Sequence, residues 1–158
     1  MATPLDVISL QQAKDHLVID FNDFDAQITG LISTAISLVE QYTDYRLYQR
    51  AETIYATSCK TNITIYPIVI VSVVDKDDAQ VMDYRTRNLP LSITLYVPNQ
   101  SVITANVGYA SIADIPHSLV SAAYKIITYL FENKDAYGAT IPYDVQLLLN
   151  QFRRSATF

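Results

Sequence analysis

The chain holds three glycines, one cysteine and no tryptophan in 158 residues, and each scarcity removes a class of chemistry. Gly30 falls within a helical periodicity, Gly108 ends a β-like run and Gly138 sits in a loop. No phosphate-cradling loop or dinucleotide fingerprint can be assembled from glycines so placed. Cys59 alone excludes an intrachain disulfide framework, and His16 and His117 lie far from it and from each other, without zinc-ligand spacing. Cys59 falls in a β-rich, apolar segment that suits a buried, inert thiol, and His117, just after a proline, reads as a surface residue. Basic residues are also few: 11 Lys and Arg against 16 Asp and Glu give a net charge of −5. That balance argues against gripping nucleic acid, which requires a basic stripe to neutralise phosphates. The longest apolar stretch, Ile63 to Val74, is too short for a membrane span, contains Pro67 and is rich in β-branched residues, so a buried strand pair is expected there. The N-terminus lacks a basic n-region and an apolar h-region, so the expectation is a soluble intracellular protein.

Acid is concentrated in "DFNDFDAQITG", Asp20 to Gly30. An EF-hand loop needs oxygen ligands at positions 1, 3 and 5, Gly at 6 and Glu at 12. Counting from Asp20 puts Phe24, Asp25 and Leu31 at positions 5, 6 and 12; counting from Asp23 puts Gln27, Ile28 and Thr34 there. Both registers fail, and no metal or cofactor site is expected. A helix start fits instead: Asp23 precedes Phe24, Ile28, Leu31, Ile32, Ala35, Leu38, Val39 and Tyr42 at three-or-four spacing, and first-turn acids meet orphan N–H groups and the positive helix end.

The element order follows from periodicity. Ser9 and Gln12 form a capping-box pattern ahead of a short helix with Leu10, Ala13 and Leu17, after an extended "TPLDVI" lead. A long helix follows from about Phe24 to Thr43. From Ala51 the pattern turns β-like in six runs, "ETIYAT", "NITIY", "IVIVSVV", "QVMDYR", "SITLYV" and "VITANVGY", with "DKDDA" as a hairpin connection between the third and fourth. Asp114 reads as a cap or pre-cap, and Pro116 opens a helix to about Asn133 striped with Leu119, Ala122, Ala123, Ile126, Ile127, Leu130 and Phe131. Pro142 opens a last helix carrying Val145, Leu148, Leu149 and Phe152 on one side. The predicted fold is α+β in one domain: a helical core of two N-terminal and two C-terminal helices (about 10–43 and 116–153), with an inserted antiparallel sheet or small sandwich at about 51–108. The amphipathic helices need one another, which makes the β segment an excursion from a helical core.

Twelve tyrosines are the strongest compositional bias. Each offers a large apolar face with a polar tip, suited to a core edge or to a surface half buried by a partner. Tyr42, Tyr45, Tyr48, Tyr124, Tyr129, Tyr137 and Tyr143 lie on or beside helices. "NQFRRSATF" closes the chain with two arginines and two phenylalanines, either interface anchors or a frayed tail.

Several strings, in order, resemble the head–tail connector, or head-completion adaptor, family of tailed bacteriophages. "SLQQAKDHLVIDFNDFDAQITGLISTAISLVEQYTDYRL" is similar to that family's short helix, acidic loop and helix ending in V-E-x-Y-T. "IPHSLVSAAYKIITYLFENKDA" resembles its I-P-x-x-L-x-x-A helix, "IPYDVQLLLNQFRR" its closing P-x-x-V-x-x-L-L segment, and "NVGYA" its turn out of the sheet. Departures are Tyr45-Arg46 for a Gly-Arg pair, Asp78 for a hairpin glycine, Leu130-Phe131 for an aromatic pair and Lys134 for an arginine. The resemblance implies a non-enzymatic homo-oligomeric ring, twelve-fold in the virion. Made in the host bacterial cytoplasm, it sits in the neck between capsid and tail, under the portal protein, extends the DNA channel and docks a stopper or tail-completion protein. It implies no cofactor, no membrane, and DNA that passes without specific binding. By position, portal contact falls to Val145, Leu148, Leu149, Phe152, Arg153 and Arg154. Asp75, Asp77 and Asp78 are either channel-facing charges or an ordinary solvated turn. The competing expectation is a monomeric intracellular protein-interaction module that binds a peptide at a sheet edge.

Overall fold

A computed structural model describes residues 2–57, 60–75, 85–88, 93–96, 101–133 and 141–153, with the backbone alone for 85–88, 93, 95 and 96. The N-terminal lead is not extended. Pro4–Val7 forms a helical turn, α1, because Pro4 presets the first helical φ and Thr3 and Asp6 cap it reciprocally, with Thr3 N–H donating to Asp6 Oδ2 at 2.6 Å. Leu10–Leu17 is α2, opened as expected by the Ser9–Gln12 capping box. It ends at Val18, which takes the left-handed conformation at φ 57°.

The long helix α3 runs Asp25–Thr43. The expected capping role of Asp23 is not what its start uses: Phe24 holds the cap position and no side chain caps the helix. Asn22 and Asp25 instead receive the buried Lys14 ammonium, at 2.6 and 2.8 Å, and so tie α2 to the first turn of α3. A lysine this buried needs such partners, since an unpaired charge out of water costs several kcal/mol.

Among the described residues six strands follow: β1 Arg50–Ala56, β2 Lys60–Ile63, β3 Ile68–Val74, β4 Arg85–Asn88, β5 Ile93–Tyr96 and β6 Ser101–Val107. They make two antiparallel three-stranded sheets, ordered β1-β6-β3 and β2-β5-β4. Asp77 and Asp78 lie outside the described residues, as do Cys59 and most of "QVMDYR". Among the described residues β3 and β4 belong to different sheets, and the connection expected at "DKDDA" lies, after Asp75, outside the described residues. A 3-10 turn, Ile112–Asp114, leads to α4 His117–Glu132, and Pro142 caps α5 Tyr143–Asn150. Asp114 lies in that turn, which Ser111 caps, and Pro116 takes the α4 cap position.

The apolar stripes meet as their spacing requires. Ile28, Ile32, Ile36 and Val39 of α3, Leu119, Ala123, Ile126 and Ile127 of α4 and Leu149 of α5 form one buried cluster with Ala13 and Leu47. A smaller cluster of Ala56, Val73 and Ile103 takes in Ile63, by which the second sheet joins the first. Among the described residues no helix is long and apolar enough to cross a membrane.

A buried ion pair joins the helices to the first sheet. Glu40, near the end of α3 and 6% exposed, accepts Leu47 N–H at 2.8 Å and two guanidinium hydrogen bonds from Arg50, at 3.1 and 2.8 Å. Arg50 Nε and Arg46 Nε both donate to Glu52 Oε1, at 2.9 and 3.0 Å. Burial disfavours the Arg50 charge, but the Glu40 carboxylate outweighs it and, with Glu52, holds the guanidinium above its ordinary pKa. Gly108 completes the joint: at φ +95° it donates to Pro67 O at 2.9 Å, and a Cβ there would run into the Tyr48 carbonyl. Replacing Glu40 with alanine removes the bidentate partner of Arg50 and the acceptor of Leu47 N–H, leaves Arg50 only Glu52, and is expected to cost about 3 kcal/mol, measured by urea unfolding; a loss under about 1 kcal/mol would show that Glu52 and water replace the pair.

Candidate interaction surfaces

The last helix is held on one side and free on the other. Val145 and Leu149, one turn apart, are 1% and 0% exposed and pack into the helical core, and Leu148 is half-buried against it. An apolar stripe must face something, and at Val145 and Leu149 it faces the chain's own core. The opposite side presents Tyr143 at 74% and Leu147 at 55% exposure. Leu147 is an apolar residue out of register with the stripe, and that is the signal in the sequence for an apolar position turned outward.

Both ends of α5 are anchored. At the start, Asp144 accepts from Lys125 Nζ at 2.9 Å, a hydrogen bond that holds its carboxyl below the usual carboxylate range. Both groups are exposed, so this pair orients α5 without adding much stability. At the end, Tyr42 hydroxyl donates to Asn150 Oδ1 at 2.8 Å, and the Arg153 guanidinium lies 5.5 Å over the Tyr42 ring. Phe152, half-buried, meets Tyr45 edge to face at 5.8 Å. Tyr45 also touches Tyr66, at 5.2 Å, and stacks on Tyr109 at 6.5 Å. One aromatic cluster therefore gathers the end of α3, the approach to β3, the exit from β6 and the C-terminal turn. Arg154 lies outside the described residues.

Most of the helix-side tyrosines serve the core edge. Tyr42, Tyr45, Tyr48 and Tyr124 pack against the helical core, with Tyr48 under the Arg50 guanidinium at 4.7 Å and Tyr124 on the His16 ring at 4.8 Å. Burial, and secondarily the Asp15 charge, raise the Tyr124 hydroxyl above its ordinary value. Tyr143 is the one of this group turned outward, and Tyr137 lies outside the described residues. His117 is exposed, as expected. A cleft of about 370 Å³ opens between α2, α4 and α5, lined by His16, Lys125, Tyr129, Glu132 and Asp144. Its polar groups already bind the helices to one another through the His16–Tyr124 and Lys125–Asp144 contacts. Asp75, just after β3, is half-buried. Among the described residues no group of three or more His, Cys, Asp or Glu side chains is placed to hold a metal ion.

Comparison with known proteins places this geometry. The sequence model of the family described as phage gp6-like head-tail connector protein matches residues 7–76. The whole chain superposes on a chain of the neck of the empty gene transfer agent particle computed with C6 symmetry, with TM-score 0.78, 18% identity, and 100% of this chain and 95% of that one covered. The fold is the one that this neck chain has. A chain of the native neck computed with C12 symmetry aligns at TM-score 0.76 and 18% identity over 100% of this chain and 94% of that one. A chain of the native gene transfer agent virion aligns at 0.75 and 18% over 100% and 95%. No curated protein sequence matches. The family match covers α2, α3 and the first strands, so it takes in the Lys14–Asp25 tie and the Glu40–Arg50 joint of this chain.

The two sides of α5 differ enough to separate by mutation. Leu149→Ala is expected to cost about 2 to 5 kcal/mol in urea unfolding, whereas Tyr143→Asp and Leu147→Asp should each stay within about 0.5 kcal/mol of wild type. Equal losses on both sides would show that α5 is buried all round.

Proposed function

We propose that the chain is a structural subunit of a phage-like particle. It assembles as a ring in the neck between capsid and tail, docks to the portal and to a stopper or tail-completion protein, and has no catalytic role. The observation that carries this is the fold shared end to end with neck chains, together with a connector-family match over the first half. The net charge of −5 suits a channel wall along which DNA slides without sticking.

Within this function we assign portal docking to the outer side of α5, Tyr143 and Leu147, with the half-buried Leu148 at its edge and Phe152 and Arg153 in the turn after it. An exposed tyrosine and leucine on a helix anchored at both ends make a preorganised apolar patch, and the neighbouring arginine adds a polar rim. The buried Val145 and Leu149 act by holding that helix in place. The joint variant Tyr143→Asp/Leu147→Asp should keep the wild-type circular dichroism and lose co-sedimentation with the portal protein of the same phage at least tenfold; undiminished co-sedimentation would move the portal surface elsewhere.

Asp75, Asp77 and Asp78 are assigned to the channel wall as a ring of negative charge. Their triple replacement by asparagine is expected to slow DNA ejection or alter DNA retention in assembled particles. Particles that package and eject at the wild-type rate would make the segment a solvated turn.

A further inference from the structure

Two exposed apolar surfaces belong neither to the core nor to the outer side of α5. One is the outer face of the β1-β6-β3 sheet. Alternation sends Thr53 and Tyr55 of β1, Thr104 and Asn106 of β6 and Val69 of β3 to the same side, with Thr53 paired to Thr104 and Val69 to Asn106. A break in register between Ile70 and Ser72 leaves Val71 unpaired and turned outward. Tyr55 is 73% exposed, Val69 66% and Val71 56%. This side is uncharged along β1: Arg50 and Glu52 alternate to the other side, where they bind Glu40 and Arg46. The face is about 23 Å long and about 14 Å wide at ordinary strand spacing, on the order of the largest apolar patches of soluble monomers, which are often functional.

The other surface is the corner between α2 and α3. Val18 is held left-handed at φ 57°, a conformation that β-branched residues avoid, and is 86% exposed. Phe21, 53% exposed, follows it between Asp20 and Asp23. Neither residue is rewarded by burial within the chain.

We infer that these two surfaces meet between copies of this chain: the sheet face of one subunit receives the Val18–Phe21 corner of the next. The inference rests on the ring proposed above. A cyclic ring requires a heterologous interface, two different patches on every subunit that fit each other. The corner lies at the start of α3 and the sheet at its end, about 27 Å of helix apart, so the two patches are well separated on the subunit. Charge agrees as well. Asp20 and Asp23 meet no like charge on the face, which offers them the hydroxyls of Thr53, Thr104 and Tyr55 and the Asn106 amide as donors. Among the described residues this side of the sheet carries no cation to hold DNA.

Two variants test this. Val69→Asp/Val71→Asp spoils the face, and Val18→Asn/Phe21→Ser spoils the corner while placing at residue 18 a side chain that tolerates the left-handed conformation. Tyr55→Asp is a second face variant on a different strand. Each is checked by circular dichroism, then by native mass spectrometry, free and loaded on the portal of the same phage. Wild type should form multi-copy assemblies, and each variant alone should need at least tenfold more protein to do so. An equimolar mixture of the face and corner variants should recover pairs that stop at two copies, because one intact face and one intact corner remain. Variants that load the portal in wild-type number would overturn this interface and leave the connector reading standing; a wild type that never associates, free or on portal, would remove both.

Discussion

The bidentate pair between Glu40 and Arg50 is the contact on which the relation of helices to sheet depends. Glu40 sits in the last turns of α3 and Arg50 opens β1, so ten residues of chain leave the helix and return as a strand across one ion pair. A carboxylate this buried repays its desolvation only when every lone pair is engaged. Here Leu47 N–H and two guanidinium hydrogens engage it, and Glu52 and Arg46 extend the network to the strand. The segment between is shaped to serve the pair. Asp44 takes a left-handed turn at φ 61°, and Arg46 N–H donates to Tyr66 O at 2.7 Å.

The aromatic cluster depends on that geometry. Tyr45 reaches Tyr66, Tyr109 and Phe152 because the chain turns where it does after Thr43. Phe152 in turn fixes the end of α5, so the orientation of Tyr143 and Leu147 is set partly from the sheet side. A subunit whose work is to present surfaces at constant relative angles needs such a joint more than it needs a pocket. The clefts fit this view: the one between α2, α4 and α5 is lined by groups already engaged in holding helices together.

Much of this was legible in advance where neighbours within a few residues decide the outcome. The Ser9–Gln12 cap, the α3 stripe, the prolines opening α4 and α5 and the antiparallel character of the β segment all emerged at or near their expected places. The misses share one cause. "TPLDVI" carries β-branched and apolar residues that read as extended, yet Thr3 and Asp6 close a cap over Pro4 and a helical turn forms. Asp23 stood where a cap belongs, but Lys14 from another helix drew Asn22 and Asp25 instead. On α5, periodicity says that Val145 and Leu149 are covered and not by whom, and it is the chain's own core that covers them.

By itself the sequence determined the order of helices and strands, the lack of glycine loops and cysteine frameworks, and an acidic surface, since composition, caps and periodicity act locally and need no knowledge of the far chain. Only the tertiary structure decided that β3 and β4 part into different sheets, that Glu40 finds Arg50, that Tyr45 gathers three aromatic rings, and that Leu147 rather than Leu149 faces outward. Each of those outcomes is a choice between partners of similar chemistry, and the choice is made by packing, which admits only the combination that fills the core and leaves no buried charge alone.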